Sequence, residues 1–279
     1  MIGLPIILGV YLTHKFQMGW KLWIIGATTF IFSQILHLPF NIYALNPILG
    51  TIQQTIQGNL AIALLLGLSA GVFEECARYG MYRWWIKDAR SWRTAILAGA
   101  GHGGIEAILL GGLVMLAFIN LVAYRNYDLG NLNLTPDQLA TAQQQIQMYW
   151  SLPWYDTLFG ALERIFTIPF HIMASVLVVQ VFTRHPGHQQ LGWLGLAILL
   201  HTLMGASAVF VAGQWGGYAA EAVLFGLAIL DVIIIYILRK PEPEVEMPLS
   251  LPPVIESPVF TPTPVEETSE NLEKTRYQS

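Results

Sequence analysis

The stretch NLAIALLLGLSAGVFEECARYGMYR, residues Asn59 to Arg83, sets the architecture. Its first part, Asn59 to Phe73, carries no charge. An α-helix rises 1.5 Å per residue, so about 20 apolar residues cross a hydrocarbon core about 30 Å thick. This stretch is long enough to do so. Glu74, Glu75 and Arg78 then fall inside the bilayer. There, insertion scales set a cost of roughly 2.5 to 3.5 kcal/mol for each Asp, Lys or Arg. Such groups face the interior of a helical bundle, so the stretch implies partner helices.

Those partners lie on both sides of it. Apolar runs span Trp20–Leu38, Thr94–Tyr124, Pro153–Thr183, Leu191–Ala212 and Gly217–Leu238. A shorter run, Ile2 to Leu12, is either a truncated first helix, the favoured reading, or an interfacial element. No basic region precedes it and no small-residue cleavage site follows, so no cleavable signal peptide is expected. The chain reads as all-α, a polytopic transmembrane helical bundle of about seven spans. Composition agrees: hydrophobic residues make up 54% and charged residues 11% of 279, against about 25% charged in soluble domains. A soluble enzyme, a secreted domain and a nucleic-acid-binding protein are thereby excluded. The single cysteine, Cys76, rules out an intramolecular disulfide and reads as packing.

Two domains are expected, a membrane domain over 1–240 and a tail over 241–279. The tail holds eight glutamates against one Lys and one Arg, with Pro241-Glu-Pro243 and Thr261-Pro-Thr-Pro264. Having little to bury, it should be disordered; its partner is unknown. Basic residues alternate between loops: Lys15 and Lys21, then none over 39–58, then Arg83, Lys87, Arg90 and Arg93. Beyond these, one Arg stands against Asp128 and Asp137, Arg184 follows, 214–216 carry none, and Arg239 and Lys240 close the bundle. By the positive-inside rule the N-terminus is outside and the tail cytoplasmic, in the cell (inner) membrane. Trp84, Trp85 and Trp92 mark one interface, and Trp150, Trp154 and Trp215 the other. In the longest loop, Thr135-Pro-Asp-Gln138 reads as an N-cap with Pro at the first helical position. It starts a short amphipathic helix with Leu139, Ala142, Ile146 and Tyr149 on one face.

The polar residues within the spans form a pattern. Glu74 and Arg78 are four apart, in the favourable order for an intrahelical pair, and Glu75 shares a neighbouring face with Tyr79. One glutamate is left over, which suits a general base or acid; the plainer reading is an ion pair locking helix packing. The next run carries His102 and Glu106 on one face among glycines that permit close helix approach. His171 follows Pro169, with Arg164 seven residues earlier, and His201 sits alone in the next run. From the cytoplasmic helix ends Glu75 lies about 12 Å deep, His102 about 14 Å, His201 about 16 Å and His171 about 20 Å. Four helices thus place carboxylates and imidazoles in one layer. Asp156, Glu221, Asp231 and His37 read as structural.

Glu-Glu-x-x-Arg-Tyr, residues 74–79, is similar to the first motif of the glutamic-type intramembrane peptidases, the clan of CAAX prenyl endopeptidases and PrsW-like proteases. The match is nearest to the YhfC family, from about Gly9 to Leu238. The resemblance implies a peptidase in which Glu74 or Glu75 with His102 activates water. His171 and His201 would donate to the oxyanion, and Arg78 would orient the glutamates. Tyr79, Glu106 and Arg164 would be supporting residues. It also implies a membrane-embedded or lipidated protein substrate. The chain departs from the CAAX pattern: two residues, not three, separate the Glu pair from Arg78. Ala98 stands where a Phe precedes the second-motif His, and Ser175 and Gly205 stand where an Asn follows a His. Prenyl-protein processing therefore does not follow. The mechanism needs no cofactor, but zinc is an alternative, with Glu75, His102, His171 and His201 as ligands. A proton-coupled transporter and a non-catalytic scaffold using the tail are the competing classes; no internal repeat of the carrier type is evident.

Overall fold

The computed structural model describes residues 1–184, 190–239 and 268–269. His185, His188, Lys240 and the expected tail, 268–269 excepted, lie outside the described residues. The compact unit Met1–Glu242 contains every helix discussed below, and no strand occurs among the described residues.

Helix α1, Gly3–Phe16, is the short first run. It packs along a later helix and is not among the six helical segments long and apolar enough to cross a membrane. Helix α2, Lys21–Phe40, passes its expected end at Leu38. It runs through Pro39 into a π-helical turn, Asn41–Leu45, and a single turn α3, Asn46–Leu49. A proline removes one i→i−4 hydrogen bond, and the widened π-turn just after it keeps the chain helical. The uncharged segment expected as a loop is therefore largely a helical extension.

Helix α4, Ile56–Gly80, starts at Thr55, whose side chain accepts from the Gly58 amide at 3.1 Å. It too ends in a π-turn, Met81–Trp85. Helix α5, Trp92–Tyr124, begins at Ser91, which caps the Thr94 amide. Its 33 residues measure about 50 Å at 1.5 Å per residue, longer than a hydrocarbon core, so one end projects beyond it. Helix α6, Pro136–Ser151, carries the expected capping box between Thr135 and Gln138. Ala142, Ile146 and Tyr149 line an apolar cavity of about 680 Å³ with Leu121 and Tyr124 of α5.

Helix α7, Phe159–Thr183, is the centre of the bundle: it touches α4 and α5 and the two helices that follow, and 78% of its apolar window is buried. Helix α8, Leu191–Trp215, lies on α4 and joins α9, Gly217–Ile237, at Gly216. There φ is +84°, a conformation open to glycine and strained for other residues. Small residues set the close contacts. A Cβ on Gly26 of α2 would lie 1.9 Å from the Ala98 carbonyl oxygen, and one on Gly101 of α5 would lie 1.9 Å from that of Trp23. A Cβ on Gly67 of α4 would meet the Thr202 carbonyl at 2.5 Å. Gly112 of α5, by contrast, has nothing within 4 Å of a built Cβ. Trp84, Trp85, Trp154 and Trp215 are exposed, and Cys76 is exposed on α4 rather than packed.

Candidate metal and proton-transfer site

Close packing of α2, α4, α5, α7 and α8 brings the five expected site residues together, and all are buried: Glu74, Glu75, His102, His171 and His201. Adjacent on α4, the two glutamates diverge to different partners. Glu75 is fully enclosed and receives Arg78 Nε at 2.9 Å, Arg78 Nη2 at 3.4 Å and His201 Nδ1 at 2.9 Å. The expected Glu74–Arg78 pair is thus replaced by Glu75–Arg78 at i, i+3. Both spacings are allowed on a helix; in the bundle Glu75 takes Arg78 together with His201 from α8. Arg78 also donates to the His171 carbonyl at 3.4 Å, tying α4 to α7.

Glu74 is left facing the interior. Its Oε2 meets His102 Nε2 at 3.1 Å, with His201 Nε2 further off at 3.9 Å. Its Oε1 accepts from Gln34 Nε2 of α2 at 3.2 Å. The His102 and His171 rings lie side by side, centroids 5.2 Å apart. Phe30 caps His102, and Phe170 packs edge-on against both His171 and His201.

Glu106 and Arg164 join the site as a supporting layer. Glu106 Oε2 contacts His171 Nε2 at 2.6 Å and its Oε1 accepts from Arg164 Nη1 at 2.7 Å. Arg164 also pairs with Glu163. His102 and Glu106 share one face of α5 as expected, yet bind different partners. Tyr79 is outside the site: it stacks on Phe182 at 5.2 Å. Tyr82, one turn further on, is the buried tyrosine, its hydroxyl 2.7 Å from Ser175 Oγ. Of the polar residues read as structural, Asp156 accepts from the Tyr218 hydroxyl at 2.7 Å. Asp231 Oδ2 and Glu221 Oε2 have no hydrogen-bond partner among the described residues.

Three of these side chains can hold a metal ion. Glu74, His102 and His171 each offer a ligand atom, and the three atoms lie within 4.8 Å of one another. His102 Nδ1 and His171 Nδ1 are buried and make no hydrogen bond among the described residues. With each Nε2 against a carboxylate, Glu74 for His102 and Glu106 for His171, both Nδ1 atoms are left over in a buried site where polar atoms are rarely unpaired. One carboxylate and two imidazoles are a donor set zinc accepts, with a fourth position open. The set corrects the expected one: Glu74 replaces Glu75, whose oxygens Arg78 and His201 occupy, and His201 stands outside. Gln34 is a site residue that the sequence reading misses. Its available signal is its polarity within an apolar run, three residues before His37.

Among the described residues, an all-helical bundle with six segments long and apolar enough to cross a membrane, enclosing carboxylates and imidazoles, defines a multi-pass integral membrane protein with a buried polar centre. The chain belongs to the YhfC intramembrane metalloprotease family, whose family model matches residues 1–227. It is 34% identical over 209 residues to a Bacillus subtilis (strain 168) protein described as uncharacterized membrane protein YhfC. The alignment covers 74% of this chain and 79% of that protein. No solved structure matches it.

Proposed function

We propose that this protein is an intramembrane metalloprotease that hydrolyses a peptide bond of a membrane-embedded or lipidated protein. The observation that carries the reading is the convergence of Glu74, His102 and His171 within 4.8 Å, with two imidazole nitrogens otherwise unpaired. The family description points the same way. A zinc ion held by these three side chains would supply a polarised carbonyl and a nucleophilic water near neutral pH.

The remaining residues orient and move protons. Glu106 sits against His171 at 2.6 Å and is anchored by Arg164, the outer-shell carboxylate that fixes a ligand imidazole. Glu75 plays the same part for His201: with Nδ1 on Glu75 at 2.9 Å, the ring turns Nε2 toward Glu74 at 3.9 Å. From there His201 accepts a proton from the attacking water and returns it to the departing amine. Arg78 holds Glu75 in place for this role. The distribution of charge along the loops supports an outside N-terminus and a cytoplasmic acidic tail over 241–279, with the protein in the inner membrane.

The test is cleavage of membrane-tethered and lipidated peptides by purified protein, with zinc measured by elemental analysis. Glu74→Gln, His102→Ala and His171→Ala should lose both zinc and cleavage while staying folded. His201→Gln should keep zinc and lose most turnover, since a general acid–base contributes about 10²–10⁴-fold. Full cleavage after exhaustive chelation would sink the metal reading in favour of a glutamic peptidase. A flux driven by a pH gradient in proteoliposomes, with no cleavage, would favour a carrier.

A further inference from the structure

Glu74 is gripped from a side that the chemistry above does not use. Along one face of α2 and the π-turn that continues it run Gln34, His37 and Asn41. Asn41 Nδ2 lies 3.0 Å from His37 Nε2, His37 Nδ1 lies 3.3 Å from Gln34 Oε1, and Gln34 Nε2 lies 3.2 Å from Glu74 Oε1. Ser69 of α4 closes the far end, with its Oγ 3.2 Å from Asn41 Oδ1 and 3.0 Å from His37 Nε2.

These contacts have a direction. The Glu74 carboxylate accepts, so the Gln34 amide nitrogen donates to it and Gln34 Oε1 is left facing His37. An amide oxygen only accepts, so His37 Nδ1 carries the proton and Nε2 presents a lone pair to Asn41 Nδ2 and Ser69 Oγ. Phe73 stacks on the His37 ring at 5.3 Å and holds its plane. Side-chain amides do not pass protons as imidazoles do, so a chain with Gln34 and Asn41 in series orients its end group rather than relaying to it. The π-turn at 41–45 begins at Asn41, the kind of irregularity often found beside functional sites.

We propose that Gln34 and His37 are positioning residues for Glu74: a one-directional hydrogen-bond ladder on α2 holds the carboxylate by Oε1 and leaves Oε2 for the centre with His102 and His171. The ladder presents a single Glu74 oxygen to the ion and keeps the carboxylate from swinging toward His201. The role assigned to zinc rests on the metal reading above; the ladder itself does not.

Two measurements on the full-length protein in detergent decide it. In the first, zinc affinity is measured by competition with a chromophoric chelator for wild type, Gln34→Met, His37→Phe and, as a control outside the ladder, Ser175→Ala. Gln34→Met should weaken zinc about 10–100-fold, the usual effect of removing an outer-shell partner. His37→Phe should act in the same direction by less, and Ser175→Ala should lower only thermal stability. Unchanged affinity in a folded Gln34→Met would overturn the zinc role. In the second, ¹⁵N-histidine NMR, with His37 assigned by loss of its signal in His37→Phe, should report the Nδ1–H tautomer. An Nε2–H tautomer would overturn the ladder. Wild-type protein with no zinc affinity would overturn the metal reading alone, and the His37 tautomer would still decide the ladder.

Discussion

Arg78→Met isolates the fully buried ion pair within α4. Arg78 and Glu75 are both fully buried. Arg78 provides two of the three hydrogen bonds that Glu75 receives, at 2.9 and 3.4 Å, and His201 Nδ1 provides the third at 2.9 Å. Methionine keeps much of the apolar stem but leaves a carboxylate with one donor in low dielectric. Removing one partner of a buried pair costs about 3–5 kcal/mol, most of it from the stranded charge. Glu75→Gln strands Arg78 instead and should cost a similar amount. The double variant, Arg78→Met with Glu75→Gln, leaves no charge unmatched, while the new side-chain amide would still face His201. It should therefore be less damaged than the sum of the singles by about 2–3 kcal/mol. The assay is the free energy of unfolding in mixed micelles titrated with SDS, followed by tryptophan fluorescence, for wild type, both singles and the double. Strictly additive losses would refute the reasoning, because they would mean that Arg78 and Glu75 do not interact in the folded bundle. A residual loss common to every Arg78 variant is expected, since Arg78 also reaches the His171 carbonyl at 3.4 Å.

Other predictions address the scaffold. Gly26→Ala and Gly101→Ala each put a methyl group 1.9 Å from a backbone carbonyl oxygen across the α2–α5 contact. The helices must separate, so a loss at or beyond about 1–3 kcal/mol is expected; Gly112→Ala, with open space around it, should be neutral in the same unfolding assay. Thr135→Ala removes the side chain that accepts from the Gln138 amide at 3.3 Å. It should weaken the start of α6 by about 0.5–2 kcal/mol, seen as faster amide exchange over 137–139 with no change in overall unfolding.

Much of the candidate site is legible before any helix is packed. Glu74, Glu75, His102, His171 and His201 stand out because ionisable groups in apolar runs must face one another rather than lipid. Their matching depths along four helices already put them in one layer. Gln34 does not stand out, because a single amide in a helix costs far less than a charge and so signals less. Tyr79 misleads because its place in the motif says nothing about which way the ring turns, and in the bundle it turns to Phe182.

Residue order alone dictates that the chain lives in a membrane, that its spans are helical, where α6 begins and which ionisable residues are buried. These follow from apolar run length, helical rise and capping chemistry, all of which act within one segment. Which side chain binds which is a property of the packed bundle. On α4 the spacing i, i+3 to Glu75 and i, i+4 to Glu74 both suit Arg78, and in the packed bundle Glu75 takes it, together with His201 from 126 positions away. That choice frees Glu74 for His102 and His171, moves the proposed metal-ligand set by one residue and lets Gln34 take the remaining oxygen. The continuation of α2 past Pro39 is of the same kind, because a lost backbone hydrogen bond is tolerated where a π-turn follows and Asn41 is held by Ser69 of the neighbouring helix. Partner choice depends on the angle and distance between helices, and close contacts such as Gly26 against Ala98 set those across the whole bundle rather than within any one segment.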